Sequence, residues 1–127
     1  MAEYVNGPTK SFEADGAIAL HARVSFDADG KVTAAGLTTK EIGTAETEAF
    51  AAGDIITVRL TSAPGTCKMI AAEALSVGDA VHTAASGKVG DTATATGYLV
   101  GRSLTISGAD GDIIEVLRNS HGDTANA

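Results

Sequence analysis

The chain has no tryptophan, two tyrosines, three phenylalanines, two prolines and one cysteine. Each scarcity removes a class of structure. Aromatic rings usually supply much of a core's buried area, so a chain with 4% aromatics builds its interior from Val, Ile, Leu and Ala. A lone cysteine, Cys67, excludes an intrachain disulfide framework and any cysteine-based zinc cluster. No apolar run approaches the ~20 residues that span a bilayer, so no membrane partner is expected. Met1 to Gly7 has neither the basic nor the apolar segment of a signal peptide, and cytoplasmic synthesis is the expectation. Basic residues are also few: nine Lys and Arg stand against sixteen Asp and Glu, for a formal charge of −7. Sequence-independent nucleic-acid binding works by neutralising phosphates with cations, so no nucleic-acid partner is expected either.

What the chain does have is glycine, at 15 of 127 positions, and short runs of β-branched residues. That composition predicts one all-β domain, a compact barrel or sandwich, large enough to fold without metal or disulfides. Two stretches organise it. Gly53-Asp54-Ile55-Ile56-Thr57-Val58-Arg59-Leu60 and Gly111-Asp112-Ile113-Ile114-Glu115-Val116-Leu117-Arg118 each read as a Gly-Asp turn feeding a strand. Glycine takes a positive φ there, aspartate caps the turn, and branched side chains suit the pleat that follows.

The rest of the chain follows the same duplication. Phe12, Ala14, Ala17, Ile18, Leu20 and Val24 match Met69, Ala71, Ala74, Leu75, Val77 and Val81 at a shift of 57. Gly30-Lys31-Val32 matches Gly87-Lys88-Val89 at the same shift. After one inserted residue, Ile42-Gly43 matches Val100-Gly101, and the two Gly-Asp strands fall into line. The matched positions are turn glycines and aliphatics expected to face inward. Two divergent repeat halves, 12–60 and 69–118, therefore make up a single β domain, with Pro64-Gly65 in the linker between them. Gly30, Gly53, Asp54, Gly87, Gly111 and Asp112 are the expected structural turns.

Within the first half, Ile18, Leu20, Ala22, Val24 and Phe26 alternate with Ala19, His21, Arg23 and Ser25. Period two predicts one amphipathic strand with His21 and Arg23 on its wet face. Residues 1–11 lack periodicity, and Gly7-Pro8 opposes a place inside a sheet. They are read as an extended arm whose Tyr4, Val5, Asn6 and Pro8 dock on a partner. The polar tail, 119–127, is expected to fray.

Sites of chemistry are missing. Gly30-Lys31 and Gly87-Lys88 have neither the preceding glycine nor the following Ser or Thr of a phosphate loop. No Gly-x-Ser-x-Gly elbow occurs, and His21, His82 and His121 share no metal-ligand spacing. Asp27-Ala28-Asp29-Gly30 does not fit an EF-hand, whose first and twelfth positions would fall on Ser25 and Gly36, and it reads as a hairpin turn. Cys67 beside Lys68 has no base in a matching motif. No catalytic residue, metal or cofactor is expected, and the chain is read as a non-enzyme.

The segments Asp29-Gly30-Lys31-Val32, Ile42-Gly43-Thr44-Ala45 and Ala51 to Leu60 resemble the small capsid decoration (cement) proteins of tailed bacteriophages. Gly78-Asp79-Ala80-Val81, Gly87-Lys88-Val89 and Gly101 to Val116 are similar, so the resemblance spans roughly 12–118. It implies an all-β homotrimer, made in the host cytoplasm, that sits on the outer capsid surface and clamps the major capsid protein. A small soluble β-barrel that binds a ligand or peptide, with no virion role, is the alternative.

Overall fold

The structure, a computed structural model, describes residues 7–118. The first half contains β1 (Thr9–Glu13), β2 (Arg23–Phe26), β3 (Val32–Ala34), β4 (Gly43–Ala45) and β5 (Ile55–Leu60). The second contains β6 (Cys67–Ile70), β7 (Ala80–Thr83), β8 (Val89–Gly90), β9 (Leu99–Ser103) and β10 (Ile113–Arg118). A short 3-10 turn, Ala85–Gly87, links β7 to β8. The fold is all-β.

The first sheet runs β1-β5-β4-β2-β3 and the second β6-β10-β9-β7-β8, the same order with each strand replaced by its counterpart. All the pairings between these strands are antiparallel. Parallel bridges then bring the end of each first strand onto the last one. Ala14 bridges Val32, and Ala71 bridges Val89. The amides of Asp15 and Ala72 donate to the Val32 and Val89 carbonyls at 2.8 Å in both cases. Each sheet thus curls until its edges meet, which shelters strand edges within a half.

Local chemistry explains the matching turns. Gly53 and Gly111 have φ of +95° and +97°, where an L side chain would be strained. Beside them Asp54 Oδ2 accepts the Phe50 and Ala51 amides at 2.8 and 3.2 Å. Asp112 Oδ2 accepts the Gly108 and Ala109 amides at the same two distances. Gly30 and Gly87 also have positive φ. The strands that follow alternate as a one-sided sheet requires: Ile56, Val58, Ile114 and Val116 are buried, whereas Ile55 and Ile113 are exposed.

Two apolar clusters result, one per half. The first gathers Ile18, Val24, Val32, Ile56 and Val58, and the second Met69, Leu75, Val81, Ile114 and Val116. Ile70 crosses the boundary: it belongs to β6 but packs in the first cluster.

Three expectations need correction. Ile18 to Phe26 is not one strand, because the chain turns at Leu20 and His21: Ile18 makes an isolated bridge to Ala49, and Arg23–Phe26 forms β2. His21 has φ of +69°, and the Ala22 amide closes the turn onto the Ala19 carbonyl at 3.1 Å. The turn takes Leu20 out of the alternation, while Ala22 and Val24 stay buried as the pattern requires. Leu20 and its counterpart Val77 are accordingly exposed, although both were expected inside. Arg23 and Ser25, expected in water, are buried. The second half lies across the far side of Arg23, where the Ala84 and Lys88 carbonyls accept from its guanidinium.

The third correction concerns the arm. It was expected to extend through Ser11, but pairing starts at Thr9, opposite Arg59. Pro8 joins the ladder through its carbonyl, which accepts the Leu60 amide at 2.8 Å and needs no N–H. Tyr4, Val5 and Asn6 lie outside the described residues, as does the 119–127 tail.

Candidate functional site at the junction of the halves

Polar side chains concentrate where the halves meet. Arg23 is fully buried there, and its guanidinium donates in every direction available to it. Nε reaches the Lys88 carbonyl at 2.9 Å, and Nη2 reaches Ala84, Gly36 and Ala35 at 2.7, 3.1 and 3.3 Å. Nη1 reaches the Thr39 carbonyl at 3.2 Å and Glu41 Oε1 at 3.4 Å. The other Glu41 oxygen takes a short ion pair from Arg118 of the second half. Lys40 stands 3.9 Å from that oxygen and also donates to the Leu99 carbonyl. Burial pushes the Arg23 pKa down while Glu41 supports its charge. This network is a rivet across the junction, not an acid–base device, because an arginine held among carbonyls has no proton to give at physiological pH. The Gly87 amide on the Ala35 carbonyl (2.8 Å) and the Thr83 hydroxyl on the Leu37 carbonyl (2.6 Å) extend it.

A cleft of about 510 Å³ also lies between the halves, lined by His21, Glu46 and Arg59 from the first and Thr66, Cys67, Lys68 and Glu115 from the second. Arg59 is tied to the Pro64 carbonyl at 2.6 Å, and the Thr66 hydroxyl donates to Glu115 at 2.6 Å. Burial and the neighbouring Lys68 hold the His21 imidazole below its ordinary pKa, partly opposed by Glu46. Burial pushes the Cys67 thiol up, so the lysine beside it in sequence does not activate it. The thiol faces the Val116 carbonyl at 3.9 Å instead. Cations (Arg59, Lys68) and carboxylates (Glu46, Glu115) both line the cleft, a set that can hold a polar surface and offers no activated nucleophile.

The Asp27 to Gly30 stretch is a turn: Asp27 Oδ1 accepts the Asp29 and Lys31 amides at 2.8 and 3.0 Å. Asp15 brings a third carboxylate, so that ligand atoms of Asp15, Asp27 and Asp29 lie within 4.8 Å of one another. A hydrogen bond with Asp27, then repulsion from it, raises the Asp15 pKa. The bond to Asp15 lowers that of Asp27. The second half has Ala72, Ala84 and Ser86 at the three places, so the trio is not needed for the fold.

Sequence reasoning missed Arg23, Glu41 and Arg118. The available signal was a mismatch between the halves. Arg23 and Glu41 stand where the second half has Ala80 and Leu99, and a charge replacing an aliphatic at an otherwise matched position marks a special environment.

These features define a class: an all-β protein of two like-wound small barrels, riveted by buried ion pairs. The same fold is seen in the crystal structure of the head fiber gp8.5 N base of bacteriophage phi29. That structure is similar at a TM-score of 0.71, with 17% identity, over 87% of this chain and 92% of that one. No family model and no curated protein matches the sequence.

Proposed function

We propose that the chain is a structural component of a tailed-phage virion that decorates the outer surface of the capsid. The observation that carries this is the shared fold with a head fiber base across nearly the whole of both chains. The decoration-protein resemblance of residues 12–118 supports it independently, since it rests on turn and strand residues and not on shape. In this reading the protein is made in the host cytoplasm, assembles as a homotrimer and clamps neighbouring major capsid protein subunits. The segment with Tyr4, Val5, Asn6 and Pro8 is its docking element, and the two halves descend from a duplicated unit. A charge of −7 suits a surface turned away from packaged DNA. No catalytic step enters the proposal, because clamping requires only a stable surface and neither cleft nor rivet carries an activated group.

The cleft at the junction favours a second reading, a small soluble module that binds a ligand or peptide. Sedimentation separates the two. Purified protein incubated with undecorated capsids should move with them and saturate at a fixed ratio to coat subunits. Protein that stays at the top of the gradient overturns the decoration reading.

A further inference from the structure

The same tripeptide occurs three times: Ala14-Asp15-Gly16, Ala28-Asp29-Gly30 and Ala109-Asp110-Gly111. An aspartate before glycine carries its own chemistry. The glycine amide has no side chain beside it, and its nitrogen can reach the aspartate carboxyl carbon to close a five-membered imide. Three conditions govern the step: an accessible carboxyl, room at the glycine, and an amide not already held in a hydrogen bond. All three aspartates are exposed, and a Cβ built on any of the three glycines would meet nothing within 4 Å. The amide therefore decides.

Two of the three amides are held. The Gly30 amide donates to the Asp27 carbonyl at 3.2 Å, and the Gly111 amide to the Ala71 carbonyl at 2.8 Å. The Asp110 carboxylate is also engaged, by Lys88 at 2.7 Å. The Gly16 amide has no acceptor among the described residues, and the chain bends at Asp15 and Gly16. A hydrogen bond with Asp27, then repulsion from it, raises the Asp15 pKa. More of that carboxyl is thus protonated, the form whose hydroxyl leaves as water.

The step also sits at a tether. Ala14 and Ile18 are both buried. Ala14 is fixed by its amide to the Asp54 carbonyl at 2.8 Å and by its carbonyl to the Gly53 amide at 2.9 Å. Ile18 exchanges two hydrogen bonds with Ala49, at 2.9 and 3.0 Å. The second half anchors Ala71 and Leu75 in the same way but has Ala72-Glu73 between them, so the fold does not require Asp-Gly there.

We propose that Asp15-Gly16 is a self-modification site, which rearranges to isoaspartate in the folded protein and loosens the first half as the protein ages. The Gly16 nitrogen bonds to the Asp15 side-chain carbonyl carbon, and the carboxyl hydroxyl departs with the amide hydrogen as water. Water then adds to either imide carbonyl and breaks its bond to nitrogen. Opening at the side-chain carbonyl restores aspartate. Opening at the main-chain carbonyl routes the chain through the side chain and leaves a free α-carboxylate. The balance needs only water. One extra carbon, about 1.5 Å of chain, then lies between the Ala14 and Ile18 anchors. In a protein not replaced once assembled, the change accumulates.

Ageing the purified chain at physiological temperature, folded and in urea, tests this. An L-isoaspartyl methyltransferase with a labelled methyl donor marks the product, and peptide mapping places each label, separating these steps from the asparagines near either end. In folded protein the label at Asp15 should exceed that at Asp29 and Asp110 several-fold. In urea the three should label alike, because their local sequence is the same. Hydroxylamine should cleave the folded chain between Asp15 and Gly16 by trapping the imide. Asp15→Glu, whose longer side chain would need a six-membered ring, should lose both signals. The labelled fraction, separated by chromatography, should melt below fresh protein. Equal labelling in the folded chain, no label at Asp15, or a bias that survives urea overturns the site. A labelled fraction that melts with fresh protein overturns the loosening.

Discussion

Replacing Arg23 by alanine tests the rivet that joins the halves. The substitution removes six hydrogen bonds, five of them to backbone carbonyls and two of those carbonyls in the second half. It also takes a fully buried side chain out of a closed junction. Breaking a buried pair by removing one partner costs about 3–5 kcal/mol. Glu41 keeps Arg118, which limits the charge left uncompensated. The orphaned carbonyls, at ~1–3 kcal/mol for any that water cannot reach, push the other way. The expected loss is about 4 kcal/mol, a large share of the ~5–15 kcal/mol that holds a domain together. Urea unfolding followed by circular dichroism measures it. Arg23→Lys should recover little, since an ammonium has three donors for six acceptors. A loss below about 1 kcal/mol for Arg23→Ala, or full recovery by lysine, refutes the rivet.

Other perturbations probe the frame. A Cβ on Gly43 or Gly101 would run into the carbonyl oxygen of Arg59 or Leu117 across the sheet, so alanine at either site should lower the melting temperature sharply. Val58 is fully buried, and Val58→Asp should leave the chain unfolded, as measured by its far-ultraviolet spectrum. His21 holds a positive φ where the second half has Gly78, so His21→Gly should stabilise by about 1 kcal/mol by releasing backbone strain. The same substitution tests a pH effect. Because the folded His21 pKa is lowered, its contribution is complete above the unfolded value of about 6.5 and is lost as pH falls through the folded pKa. His21→Gly should therefore flatten the acid limb of stability against pH, and an unchanged limb counts against the assignment.

The frame was largely readable from the residues. Matched glycines and aliphatics gave the two halves, because turns and inward faces are where a β unit tolerates least change. Gly53-Asp54 and Gly111-Asp112 could be recognised as turns since their chemistry is local, an αL glycine and a carboxylate over two amides. The junction was not legible for the opposite reason. Arg23 looks like any outward residue of an alternating strand until the second half closes over it, and that contact spans 61 and 65 positions of sequence. His21 shows a related failure, since period two continues straight through a turn that only the backbone angle reveals. Thr9 to Ser11, the first three residues of β1, read as arm because Pro8 argues against pairing, yet only the Pro8 carbonyl was required.

Imaging tests the central claim most directly. Undecorated capsids of the parent phage, mixed with purified protein and examined by electron cryomicroscopy, should gain discrete density on the outer surface. Each added feature should have three-fold symmetry, contact more than one coat subunit and accommodate the two-barrel fold. Capsids that remain bare at saturating protein, or that carry the density on their inner wall, would contradict the account.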